Sequence, residues 1–288
     1  MRREDFSFGS EDGLEIAYYR WRAPGKAAAI VQLAHGMGDH SIRYAHVAEF
    51  LNQAGFHVYA NDHRGHGQTA KGREALGDFG AAGWNGLVAD MLTLTRLART
   101  REGGLPVILL GHSMGSFAAQ QYVLDNSAAI AGLVLSGSAA VDKLSIDPSQ
   151  DADLAAFNRG FEPARTPHDW LSRDTAAVDA YEADPLCGFG INKQAMVSMV
   201  TSLIRTIDPA ALAQIRKDIP IYIFAGDKDP INHDLEWIKP LAERYRAAGI
   251  TNVTEKYYPQ GRHEMLNETN RDEVMRDLVN WLRRAIVA

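Results

Sequence analysis

The stretch "PVILLGHSMGSFAAQQYVL", residues 106–124, constrains the fold of this chain more than any other. A short apolar run ends in a serine framed by two glycines, and a segment with helical spacing (Ala118, Ala119, Tyr122, Val123) begins at once. A buried strand that turns directly into a helix calls for a parallel sheet, because the helix must cross back over the sheet face. Gly111 and Gly115 leave room where a β-carbon would meet the neighbouring strand or helix, and the turn forces an unfavourable backbone angle on Ser113. In this setting G-x-S-x-G is a nucleophile elbow, which lifts the serine into the opening at the carboxyl edge of the sheet. The positive end of the following helix suits an oxyanion.

The rest of the chain repeats the same kind of element. The runs "AAIVQLA" (28–34), "FHVYAND" (56–62), "AGLVLSG" (131–137) and "IPIYIFAG" (219–226) each meet turn residues, and most lead into helical spacing. That alternation predicts an α/β fold with a mostly parallel central sheet flanked by helices. Helices are expected over 42–54, 87–98 and 273–286, and the Asp12-Gly13 pair predicts an antiparallel hairpin at the start. One region breaks the pattern. Residues 138–218 carry helical patterns and no convincing buried strand, far more than the few residues and one helix of an ordinary connection. They read as a helical cap inserted into a core made of 1–137 and 219–288. Within the cap, Met196, Met199, Val200, Leu203, Ile204 and Ile207 form an apolar stripe, which suits both core packing and a lip for an apolar substrate.

Composition narrows the function. With 46% apolar residues in 288, the chain can bury a large core, and a net charge of −6 with both signs scattered leaves no basic field for nucleic acid. Cys187 is the only cysteine, and the N-terminus has no apolar leader core, so a cytoplasmic location is expected. No apolar run approaches the roughly 18 residues of a spanning helix, although transient contact of the cap with a lipid surface stays open.

A serine hydroxyl needs a base and a group to orient that base. Of the ten histidines, His35 sits where the fold wants turn and oxyanion geometry, His63 and His66 belong to "DHRGHG", and His112 is held by the elbow. His263 instead follows the β-prone "VTEKYYP" and a glycine turn and precedes the last helix, so it can hang over the carboxyl edge. The acid should end the strand after the insertion, where "IPIYIFAGDKDPIN" offers Asp227 and Asp229. Either could reach an imidazole. The chain order Ser, Asp, His is that of the α/β-hydrolase arrangement.

The motifs "HGMGDHSIRY", "NDHRGHGQT", "GHSMGS", "DPLCG", "GDKDPIN" and "GRHEMLNE" resemble, in order, those of the monoacylglycerol lipase and lysophospholipase-like α/β-hydrolases, the serine aminopeptidase-like hydrolases. The resemblance implies Ser113 as nucleophile, His263 as base and Asp229 as acid, with the backbone amides of Met37 and Met114 as oxyanion donors. The chemistry of the elbow agrees, since one donor follows the nucleophile and the other comes from a loop after the third strand. "DHRGHG" superficially resembles a metal cluster, but its strand and glycines fit a compact loop of buried polar contacts, and neither metal nor cofactor is expected.

The expected reaction is carboxylic ester hydrolysis through an acyl-enzyme, on monoacylglycerols, lysophospholipids or other small acyl esters, with Met196, Met199, Val200 and Leu203 receiving the acyl chain. Two rivals use the same fold. A proline iminopeptidase-type aminopeptidase would need cap carboxylates for a free amino group, and Glu162, Asp169, Asp174, Asp179, Glu182 and Asp184 are available. A non-catalytic binding module would usually lack a triad member. Acyl length, headgroup and oligomeric state are not set by the sequence.

Overall fold

A computed structural model of the chain describes residues 3–144, 147 and 152–287. Eight strands form one sheet: β1 Arg3–Gly9, β2 Glu15–Trp21, β3 Ala29–Ala34, β4 Phe56–Asn61, β5 Val107–His112, β6 Gly132–Ser136, β7 Ile221–Gly226 and β8 Val253–Tyr258. Their order is β1-β2-β4-β3-β5-β6-β7-β8. β1 and β2 form the antiparallel hairpin, β2 pairs antiparallel with β4, and every pairing from β4 to β8 is parallel.

The helices are α1 Ala45–Gln53, α2 Gly83–Arg101, α3 Met114–Asn126, α4 Thr175–Ala183, α5 Lys193–Leu203, α6 Pro209–Leu212, α7 Lys239–Ala247 and α8 Arg271–Ala285. The expected helix over 42–54 begins instead with a 3-10 turn, Ser41–Tyr44, before α1. There the Asp62 carboxylate accepts the Ser41 N–H at 2.9 Å, so the entry is set by a distant side chain and not by helical periodicity. α2 runs beyond 87–98 at both ends.

Side chains alternate across β5. Ile108 and Leu110 face α1 and α8 through Val47, Leu51, Leu278 and Leu282, whereas Val107 and Leu109 face α2 and α3 through Met91, Leu94, Ala119 and Val123. Strands β3 to β7 are buried along their whole length, as strands covered on both faces must be. Between β6 and β7 the described residues contain α4, α5, α6 and short 3-10 turns but no strand, while residues 145, 146 and 148–151 of the insertion lie outside the described ones. α5 is moored to the core, because Ser198 Oγ accepts the N–H of Trp84 in the first turn of α2 at 2.9 Å. No helix among the described residues is long and apolar enough to cross a membrane.

Candidate active site

Ser113 stands between β5 and α3 with φ 53° and ψ −122°, a conformation that L-residues rarely adopt. The glycines beside it are sterically required. A β-carbon on Gly111 would lie on the carbonyl of Gly115, and one on Gly115 would lie on the carbonyl of Ala34 in the adjacent strand. Strand pairing continues into the elbow, since the Ser113 N–H donates to the Ser136 carbonyl at 2.9 Å. The serine is therefore fixed from both sides at the carboxyl edge.

His263 and Asp229 come from the loops after β8 and β7, two neighbouring parallel strands, so both reach the same edge. His263 Nδ1 is 3.0 Å from Asp229 Oδ1, and both side chains are almost wholly buried. The same Asp229 oxygen accepts the Ile231 N–H at 2.9 Å, which holds the carboxylate in place. Asp227, two residues earlier, instead accepts the Gln260 N–H at 2.7 Å in an exposed turn.

Ser113 and His263 line one cavity of about 780 Å³, together with Gly36, Met37 and Met114. Among the described residues, the amides of Met37 and Met114 have no hydrogen-bond acceptor. The loop carrying Met37 is held by two histidines. His35 Nδ1 donates to the Gly36 carbonyl at 2.8 Å, and its Nε2 accepts the His63 N–H at 2.9 Å. His66 Nδ1 donates to the Arg64 carbonyl at 2.8 Å, and its Nε2 accepts the Gly38 N–H at 3.2 Å. Carbonyls only accept and amides only donate, so both tautomers are fixed and both rings are neutral. Burial lowers the His35 pKa and takes that of His66 down to about 3. The "DHRGHG" loop ties the core in the same way: Asp62 accepts from Tyr19, Ser41 and Gln68, and Arg64 pairs with Asp12 and Asp90.

The cavity wall is mostly apolar, with Phe117, Leu154, Phe157, Leu171, Ile231 and Trp237 contributing. Of the four cap residues expected there, Met196 and Met199 line it, but Val200 and Leu203 do not. Leu203 is fully buried in the core cluster and Val200 packs against that cluster, while Ile204 and Ile207 face outward. The stripe continues past the end of α5 into a 3-10 turn, where the helical spacing that defined it no longer holds.

Three features of the site were not anticipated from the sequence. Arg43 forms two 2.8 Å hydrogen bonds to Glu264 and one of 2.9 Å to Asp39, whose other oxygen accepts from Tyr44. Burial works against both carboxylates, but Arg43 outweighs it and holds them below the usual range. Second, the His112 ring packs 4.7 Å from that of His263, and burial, then His263, lower its pKa to about 4. Third, the Trp170 ring lies 4.8 Å from His263. Arg43 and Glu264 are 221 positions apart, so only the adjacency of Glu264 to His263 hinted at the first.

None of the six cap carboxylates weighed for an amino group lines the cavity. Asp169 and Asp179 meet Arg165, Asp174 meets Arg271, Glu182 meets His168 and Asp184 meets His40.

A family model described as "Serine aminopeptidase, S33" matches residues 25–270. A monoacylglycerol lipase of Mycolicibacterium smegmatis is 31% identical over 283 residues, covering 97% of each chain. The monoglyceride lipase of Homo sapiens is 29% identical over 225 residues, 76% of this chain and 71% of that one. Among solved structures, a thermostable carboxyl esterase from Bacillus coagulans in complex with glycerol superimposes with a TM-score of 0.88 at 30% identity, covering 99% of each chain.

Proposed function

The chain belongs to the serine aminopeptidase S33 family, with the α/β-hydrolase fold, and on that footing we propose that it is a monoacylglycerol lipase served by Ser113, His263 and Asp229. It is a carboxylic ester hydrolase. The observation that carries the assignment of residues is the buried His263–Asp229 pair at 3.0 Å, whose histidine lines one cavity with a serine held at φ 53°.

Asp229 occupies Nδ1 of His263, so Nε2 is the nitrogen that takes the Ser113 proton as Oγ attacks the ester carbonyl. The Met37 and Met114 amides receive the tetrahedral oxyanion. His263 then protonates the leaving glycerol oxygen, and a water activated the same way releases the fatty acid from Ser113. Residues 138–218 act as the cap, with Met196 and Met199 against the acyl chain. Val197, Ile204 and Ile207 are exposed apolar residues of the same insertion and give it a face for transient contact with a lipid surface. Glycerol as leaving group accords with the glycerol held by the Bacillus coagulans esterase.

An aminopeptidase would need a cavity carboxylate for the substrate's amino group: Asp39 and Glu264 line the cavity but are taken by Arg43, and among the described residues Asp147 and Asp153 of the insertion are the other carboxylates of the lining. Monoacylglycerols, p-nitrophenyl esters and aminoacyl naphthylamides assayed side by side test the reading. Monoacylglycerols should give the highest kcat/KM, and faster cleavage of the naphthylamides would reverse it.

A further inference from the structure

Asp229 grips one atom of the His263 ring, and a single hydrogen bond leaves a ring free to swing about it. Two other rings limit that swing. His112, at the end of β5, packs at 4.7 Å between centroids with an interplanar angle of 50°, and Trp170 packs at 4.8 Å and 37°. His112 belongs to the nucleophile's own strand. Trp170 belongs to the insertion, and it is 3% exposed.

The segment carrying Trp170 is bonded to the loop carrying His263 along its length. The His263 N–H donates to the Trp170 carbonyl at 3.4 Å, and the Glu264 N–H donates to the Leu171 carbonyl at 2.7 Å. Ser172 Oγ donates to the Asn267 carbonyl at 3.0 Å, and Arg173 pairs with Glu268 at 3.0 Å. A part of the insertion so tied cannot lift away as a lid without releasing the histidine loop. Phe157, also from the insertion, packs 5.0 Å from Trp170 and backs the indole.

We propose that Trp170 is a positioning residue for the base: its ring, backed by Phe157 and opposed to rotation of the His263 imidazole, keeps Nε2 directed at Ser113. The inference rests on the reading of His263 as base. It makes one segment of the insertion part of the proton-transfer geometry. Trp170 also lines the cavity, so the competing role is that of a plain wall for the acyl chain. The indole Nε1–H finds no acceptor among the described residues, which leaves the ring itself as what the position uses.

The two roles separate kinetically. A displaced base lowers kcat for every ester, because a misplacement near 1 Å costs about 100-fold in rate; a lost wall raises KM for long acyl chains alone. Trp170→Leu and Trp170→Phe, with Trp170→Ala as the harsher variant, should be assayed on p-nitrophenyl acetate and on a long-chain monoacylglycerol. The backbone bonds of residue 170 survive all three substitutions, so the comparison isolates the ring.

Trp170→Leu should lower kcat on both substrates by about 10- to 100-fold with KM nearly unchanged, and Trp170→Phe should recover most of that loss. If Trp170→Ala fails to fold, the contrast between Leu and Phe still decides. Wild-type kcat on acetate in Trp170→Leu, with only the long-chain KM raised, would overturn the proposal in favour of a wall. Equal losses in Phe and Leu would overturn it too, pointing to the indole N–H. His263→Ala in parallel distinguishes the two levels: retained activity there removes the base assignment itself, whereas an inactive His263→Ala beside a fully active Trp170→Leu removes only the role of Trp170.

Discussion

The Nε2 of His66 accepts the backbone N–H of Gly38 at 3.2 Å, so the loop that presents Met37 to the cavity depends on an uncharged ring. A proton added to that nitrogen would turn the acceptor into a donor facing a donor. His35 stands in the same relation to the His63 amide, and its ring centroid is 5.2 Å from that of His66.

Stability should therefore fall in mild acid. Burial lowers the pKa values of His35 and His63, takes that of His66 to about 3 and, with His263, that of His112 to about 4. Unfolded histidine binds its proton below about 6.5. Between that value and the folded pKa the unfolded state holds more protons, so stability is complete above 6.5 and declines as pH drops. Each such ring contributes a slope of up to about 1.4 kcal/mol per pH unit. Urea unfolding at pH 7, 6 and 5 checks this, and a flat series would mean that the rings titrate alike in both states.

Ser113→Ala should abolish ester turnover by a factor on the order of 10⁶ while the protein stays folded. A fluorophosphonate probe should label only the wild type.

The φ of 53° at Ser113 carries a second consequence. Ser113→Gly, equally inactive, should unfold at higher urea than Ser113→Ala, by about 1 kcal/mol, because glycine reaches this conformation without strain and only part of the gain is returned as chain entropy. Identical midpoints would show that the elbow is unstrained.

Asp229→Asn should lower turnover about 10⁴-fold by upsetting the tautomer and orientation of His263. Asp227→Asn should stay near wild type, since an asparagine oxygen can still accept from Gln260. Steady-state assays of the two variants on one ester suffice, and a reversed order would move the acid to Asp227.

Met196→Ser with Met199→Ser should reduce kcat/KM for long-chain monoacylglycerols and spare acetyl esters. Each methylene buried against them contributes up to about 0.8 kcal/mol, so four carbons of chain amount to about two orders of magnitude in the wild type. Leu203→Ser is the control, because this fully buried side chain should cost stability instead of chain-length preference.

Arg43→Met should destabilise the fold by about 3–5 kcal/mol, because it leaves the buried Asp39 and Glu264 carboxylates unpaired. Chemical denaturation measures it, and the loss should shrink when Asp39→Asn and Glu264→Gln are added.

The central strands, the strand-to-helix turn at Ser113 and the hairpin at Gly13 were legible in the sequence because they rest on local physics. Period-2 and helical spacing, turn residues and crowding around Gly111 and Gly115 act between residues that are near each other along the chain. Even His263 could be singled out by its position between a strand and the last helix. Spacing left Asp227 and Asp229 as equal candidates, and family resemblance alone implied Asp229; the 3.0 Å contact of Asp229 with His263 joins loops that the parallel pairing of β7 and β8 places at one edge. The division of the cap stripe into Met196 and Met199 at the cavity, Leu203 in the core and Ile204 at the surface was equally hidden. So were the Arg43–Glu264 pair and the rings of His112 and Trp170 around His263. Local pattern specifies which elements form and which face of each is apolar. Which side chains from distant elements meet depends on strand order, register and the way the insertion packs, and those are settled only when all the elements are buried together.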